Sequence, residues 1–242
     1  IYVISAGDRV LVERELGLAA VARYQVAYLV GALGLTVAGA FNNAWGPIVY
    51  GATDERRWTV LAETTAVLYR MAGWIAAGLA LAGPLVLAVV APGSYHPLDL
   101  APVTAIVALS VLPYVAYLSN AHPIFYTRRA WQLAWITPTS AVMNVALNLI
   151  LLPRIGLKGA AMATVAAYAV QAAFARHITR RITAVPWEPG AASRALVIAA
   201  AGVAAGAALP TNPVGLVVRA VLALVCLAGL ARDARTSFRP AG

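Results

Sequence analysis

Two asparagines four residues apart, Asn144 and Asn148, lie in a stretch that carries no charge from Trp131 to Leu152. That spacing puts both amides on one face of a helix. There they can hydrogen-bond hydroxyl groups or phosphate oxygens, or tie their helix to a neighbour, the commoner duty of Asn between apolar helices. Arg9 and Arg14 precede the first long apolar stretch, Arg23 stands at its outer edge, and Arg70 stands just before the second. A guanidinium stays charged and donates a planar two-pronged fork, which suits phosphate. Arg9 has a plainer alternative in an ion pair with Asp8 or Glu13, and Arg70 in lying along apolar surface with its head in water. Tyr24, Tyr114 and Tyr117 can stack on sugar-like rings or serve as ordinary interfacial aromatics. Asn42 and Asn43 come near the end of their stretch and are expected to cap it.

Catalytic patterns are missing from the chain. His96, His122 and His177 are scattered over three breaks and make no metal-ligand spacing. No Gly-Lys-Ser/Thr phosphate loop occurs. The acids fall in breaks, with none expected in mid-span, and Asp99 reads as a solvated acid at a helix edge. The lone Cys226 excludes an intrachain disulfide and a cysteine metal cluster. The expectation is a protein that is not an enzyme and holds no cofactor.

What positions these residues is a series of apolar stretches. Hydrophobic residues make up 62% of the chain and charged residues 11%, against about 25% charge in soluble domains. A run of about 20 apolar residues spans a bilayer's hydrocarbon core as a helix. Seven such spans are expected, at about 21–45, 71–90, 100–118, 131–152, 157–174, 195–209 and 214–231. The fold class is therefore all-α, a polytopic membrane helix bundle. Pro47 falls just past the first span, Pro84, Pro102, Pro113 and Pro138 fall in later ones, and Pro153–Gly156 reads as a turn. Proline removes a helix bond and bends the helix, so the set predicts a protein that bends. Gly159, Ala163 and Ala167, and likewise Gly202 and Gly206, form small-residue stripes suited to close helix contact.

The net charge of +9 does not indicate nucleic acid, because the basic residues sit in short breaks and form no patch. Alternate breaks differ in Lys and Arg content. Arg56 and Arg57, Arg128 and Arg129, Arg176 to Arg194, and the tail Arg232–Arg239 form the richer set. By the positive-inside rule that set is cytoplasmic, with the C-terminus inside and Asp8–Arg23 outside. The opening residues 1–7 read as the tail of an apolar helix cut off upstream, which suggests a fragment.

Two passages go beyond hydropathy. One is Asp8-Arg9 followed by Gly17, Tyr24 and Ala40-Phe41-Asn42-Asn43-Ala44-Trp45-Gly46-Pro47. The other runs from Asn144 through Asn148, Pro153, Gly156, Gly159-Ala160-Ala161 and Ala163-Thr164 to Ala167-Tyr168. Together they resemble the C-terminal half of polysaccharide (O-antigen type) flippases, in the multidrug/oligosaccharidyl-lipid/polysaccharide exporter superfamily. The resemblance covers about residues 1–183 and implies the end of a seventh helix and helices eight to twelve of a fourteen-helix protein. Residues 184–242 would then supply two trailing helices and a basic cytoplasmic tail.

The resemblance implies a transporter that moves undecaprenyl-pyrophosphate-linked oligosaccharide across the cytoplasmic membrane for polysaccharide biosynthesis. It implies membrane lipids, an N-terminal lobe missing from this chain, and a polysaccharide polymerase as partners. The substrate-binding residues it favours are Arg9, Arg70, Asn144, Asn148 and Tyr24, with Arg9 foremost because it falls on the family's Asp-Arg pair. The rivals are a lipid II flippase, a multidrug exporter of the same superfamily, a membrane-embedded glycan-assembly enzyme, and a remnant that no longer transports. The multidrug reading wants an intramembrane acid, which the sequence is expected to lack.

Overall fold

The computed structural model describes residues 2–237, with side chains over 7–235; Ile1 and the tail's Arg239 lie outside the described residues. Lipid offers no partner to a free backbone group, so apolar segments satisfy their own bonds as helices. Ten α-helices follow in order: α1 (Tyr2–Leu16), α2 (Leu18–Gly31), α3 (Leu33–Tyr50), α4 (Arg57–Val90), α5 (Ala101–Leu109), α6 (Val111–Tyr126), α7 (Ile136–Ile155), α8 (Leu157–Ile182), α9 (Ala191–Ala208) and α10 (Pro213–Ser237). There is no strand among the described residues.

Five helical stretches are long and apolar enough to cross a membrane: Arg57–Val90, Pro97–Tyr126, Ala130–Ile155, Ala191–Ala208 and Pro213–Arg235. The α2–α3 pair, bent by 48°, makes a sixth if it counts as one span. The protein is a multi-pass membrane bundle. The expected span at 157–174 lies inside α8, which has the length, at 26 residues. Lys158, Thr164, Tyr168 and Gln171 leave it less apolar than the other five.

Several boundaries differ from expectation. Pro47 sits inside α3, and Asn42 and Asn43 lie mid-helix without capping it; Gly51 ends it. The Asn120–Pro123 segment does not close its span but lies inside α6. Its polarity is absorbed by α8, whose Thr179 hydroxyl donates to the Asn120 carbonyl at 2.6 Å. Pro153 is likewise helical, and the α7–α8 turn contracts to Gly156 at φ 60°, a conformation that glycine adopts without steric cost. The 48° bend between α2 and α3 comes at Ala32, between Gly31 and Gly34, with no proline nearby. Glycine pairs are an established cause of kinks. Here a Cβ on Gly31 would meet the Thr104 carbonyl oxygen at 2.7 Å, so the bend seats α2 on α5.

Two contacts each join breaks of the same set. At one end Arg23 Nε donates to the Tyr95 carbonyl at 3.0 Å, joining the start of α2 to the loop after α4. At the other, Arg57 binds Asp54 at 2.5 Å and lies 4.1 Å over the Tyr126 ring, joining the α3–α4 and α6–α7 breaks.

Helix α4 is the hub for the trailing helices. Gly73 and Gly202 bring α4 and α9 into backbone contact: a Cβ on Gly202 would stand 2.5 Å from Ala77 Cα, and one on Gly73 2.9 Å from the Ala195 carbonyl oxygen. Gly159 meets Leu151 of α7 just as closely, at 2.7 Å. The small-residue stripes are thus architectural, as their spacing suggests. Helix α10 holds α9 through Arg219, which is 3% exposed. Its guanidinium donates to the carbonyls of Gly206 and Leu209 at 2.5 Å each, the free oxygens at the end of α9. Arg219→Met is expected to fray that end and cost about 1–3 kcal/mol. Thermal unfolding in detergent measures it, and wild-type unfolding by the variant would refute the capping role.

Candidate functional site

Helix α1 carries most of the charges before the first span, and they differ sharply in burial. Arg9, Glu13, Arg14 and Glu15 are exposed, whereas Asp8 and Val12, one turn apart, are fully buried. Gly17 breaks the chain at φ 83° and folds α2 back beside α1. Helices α7 and α8 then close around Asp8, brought together by the turn at Gly156.

Four side chains from three helices meet the Asp8 carboxylate. Asn148 Nδ2 of α7 donates to Oδ1 at 2.7 Å. The Thr164 hydroxyl of α8 donates to Oδ2 at 2.7 Å, and the Tyr24 hydroxyl of α2 donates to the same oxygen at 3.1 Å. Asn144, one turn before Asn148, faces it, with its Oδ1 3.3 Å from Asn148 Nδ2. Asn144 is 1% exposed, and Asn148 and Thr164 not at all. Two polar atoms of the cluster, Asn144 Nδ2 and Asn148 Oδ1, are buried without a partner. Asn148 and Thr164 each sit eight residues from Gly156, along α7 and α8, about 12 Å into the bundle.

Among the described residues no cationic side chain pairs with Asp8. A carboxylate withdrawn from water without a counter-charge is very costly, and this one is held by three neutral donors, Asn148, Thr164 and Tyr24. The groups that face the carboxylate donate to it, the Asn148 Nδ2 and the Thr164 and Tyr24 hydroxyls, and Asn148 Oδ1 is the acceptor left over, an oxygen of the kind hard cations favour. A single carboxylate matches a single positive charge. No group of three or more His, Cys, Asp or Glu occurs among the described residues.

The structure therefore joins three of the sequence-picked residues, Tyr24, Asn144 and Asn148, around an acid that the sequence reading had placed in a break. Arg9 follows Asp8 but points away, exposed, and forms no ion pair with it. Arg70 lies half-buried on α4, outside this cluster. Asp8 stands on α1, which is outside the candidate spans, and is buried there between helices.

A second polar feature lies between α3 and α6. A cavity of ≈ 500 Å³ is lined by Asn42, Tyr50, Tyr117 and His122, among others. His122 is buried inside α6, not in a break as its sequence position suggests. Its Nδ1 is 3.0 Å from the Tyr50 hydroxyl, its ring lies edge-on to Trp45 at 4.6 Å, and its Nε2 has no partner. Trp45 is fixed by its Nε1 bond to Thr64 at 2.8 Å.

No family model, no curated protein and no solved structure matches this chain.

Proposed function

We propose that this chain is one lobe of an ion-coupled, alternating-access exporter that moves undecaprenyl-pyrophosphate-linked oligosaccharide to the outer leaflet of the cytoplasmic membrane. The observation that carries the reading is the Asp8 carboxylate, buried between α1, α2, α7 and α8 with neutral partners alone. Ionisable groups at such positions in membrane bundles mark ion pathways and proton relays. An ion that neutralises Asp8 lets the four helices close; its departure leaves a charge that draws water and favours opening. Two lobes rocking about a central cavity turn that step into transport.

The cargo rests on the resemblance of the Asp8–Pro47 and Asn144–Tyr168 passages to polysaccharide flippases. The α3–α6 cavity supports it, because Asn42, Tyr50, Tyr117 and His122 offer hydrogen-bonding atoms and aromatic faces suited to a glycan. Arg9 and Arg70 remain the choice for the pyrophosphate. In this reading Asn144, Asn148 and Tyr24 serve the ion site and only indirectly the substrate. Counting the α2–α3 pair and α8 as crossings gives seven spans, with the basic breaks and the C-terminus cytoplasmic. A second lobe completes the cavity, and a polysaccharide polymerase consumes the product.

A multidrug exporter of the same superfamily is the second reading, favoured by the same buried acid. His122→Ala in the complete transporter separates the two. Export of lipid-linked glycan, read as surface polysaccharide against intermediate retained inside, is expected to fall about tenfold, the worth of one or two buried hydrogen bonds. Wild-type glycan export with reduced drug resistance would transfer the assignment to the multidrug reading.

A further inference from the structure

A second cavity, of ≈ 550 Å³, opens at the end of the bundle that carries Asp54 and Arg57. Its floor is formed by Thr65 of α4 and by Ser119 and Asn120 of α6, which are 3%, 1% and 5% exposed. Its mouth is formed by Arg176 of α8 and by the first residues of α9. It is distinct from the Asp8 cluster: Arg176 lies twelve residues beyond Thr164, about 18 Å along α8.

The two ends of this cavity want different chemistry. At the mouth, the first N–H groups of an 18-residue helix have no partner within the helix and carry partial positive charge. Arg176 adds a full, exposed charge; Glu188, which also lines the mouth, is engaged by Arg194 through its carboxylate, and its carbonyl accepts the Ala191 N–H at 3.3 Å, which leaves the N–H groups after Ala191 for a ligand. At the floor, the Thr65 and Ser119 hydroxyls already donate to the carbonyls of Leu61 and Val115. They therefore offer only lone pairs. Asn120 spends its Nδ2 on the Ala116 carbonyl at 2.8 Å, and its buried Oδ1 receives no hydrogen bond. Unpaired buried acceptors are rare and ask for a donor.

We propose that this cavity binds a phosphate ester of a small polyol, with the phosphate at Arg176 and the start of α9 and the polyol hydroxyls donating to Asn120, Ser119 and Thr65. An anion alone would leave the floor unpaired, and a neutral polyol would leave the mouth unused. Glycerol phosphate, as a phospholipid headgroup or as a free ester, is the simplest molecule with both features. Bound there, it ties α8 to α9. The site stands whatever the chain transports.

The test uses the purified full chain in detergent. Isothermal titration compares glycerol 3-phosphate with inorganic phosphate, and native mass spectrometry compares phosphatidylglycerol with phosphatidylcholine retained from vesicles of each. Glycerol 3-phosphate binding tighter than phosphate identifies the free ester, phosphatidylglycerol retention over phosphatidylcholine identifies the headgroup, and either supports the site. Arg176→Gln, at an exposed position, is expected to weaken the preferred ligand about tenfold. Asn120→Leu is expected to reduce glycerol 3-phosphate to the affinity of inorganic phosphate. No preference in either comparison overturns the proposal, as does Arg176→Gln binding like wild type. Should Asn120→Leu fail to fold, Arg176→Gln alone decides.

Discussion

Asp8→Asn is expected to leave the protein as abundant and as helical as wild type while export in the complete transporter drops roughly 5–150-fold, the range of ordinary coupling energies. The amide fits the same space. The Thr164 hydroxyl, now facing a weaker acceptor, can turn to the Ala160 carbonyl 3.1 Å away. Removing a buried charge that has no ionic partner relieves its desolvation cost, which offsets the weaker hydrogen bonds. What is lost is the group that can gain and lose a positive charge between two arrangements of α1, α7 and α8. Export in the variant should also lose its dependence on the driving ion gradient. A variant that exports at the wild-type rate and with the wild-type ion dependence would remove Asp8 from the mechanism.

The largest effect on folding is expected at Gly202→Leu. Any Cβ there collides with both Ala77 Cα and Ala77 Cβ at 2.5 Å, and backbone cannot yield as a flexible side-chain tip does. Forcing a larger residue into a packed contact costs about 1–3 kcal/mol even where neighbours can adjust. Here the cost falls on the whole seam between α4 and α9, which Gly73 and Ala195 share. Helix α10 follows, since Arg219 reaches the end of α9 and the Trp74 Nε1–Asp233 bond at 3.0 Å joins α10 to the same hub. Fluorescence-detected gel filtration should show the variant aggregated or gone, with Gly93→Ala, where a Cβ meets nothing within 4 Å, as the silent control. A monodisperse Gly202→Leu protein with unchanged thermal stability would mean that the seam is not as tight as described.

The helices were legible because their sequence carries local signals: unbroken apolar length, Pro and Gly at the breaks, small-residue stripes at helical spacing. Their ends were less legible. Asn120-Ala121-His122-Pro123 has the composition of a loop, yet α8 covers it and the helix runs on to Tyr126. Pro47 and Pro153 look like stops, but each falls in the last turn or two of its helix, where the fold accommodates it. The site was half legible. Asn144 and Asn148 stood out by their spacing, but their partner lies 140 residues away from Asn148 in sequence. Asp8 was hidden by its neighbours: Arg9, Glu13, Arg14 and Glu15 give the segment the composition of a break. The helical period turns Arg9, Glu13 and Arg14 away from the face of Asp8 and Val12, whereas Glu15, seven residues on, shares that face and is exposed at the end of α1. That period was available in the sequence. Thr164 and the two cavities were not, because they exist only once α3, α6, α8 and α9 are side by side.

The central claim is that Asp8, Asn144, Asn148 and Thr164 hold a monovalent cation or a proton. The most direct measurement is the thermal unfolding of the purified chain against sodium concentration and against pH, for wild type and Asp8→Asn in parallel. An ion that binds the folded form at one hundred times its dissociation constant adds about 2.7 kcal/mol. The account predicts that wild-type stability rises with sodium or with acid and that Asp8→Asn is insensitive to the same agent. Equal responses in the two proteins, or none in wild type, would contradict it.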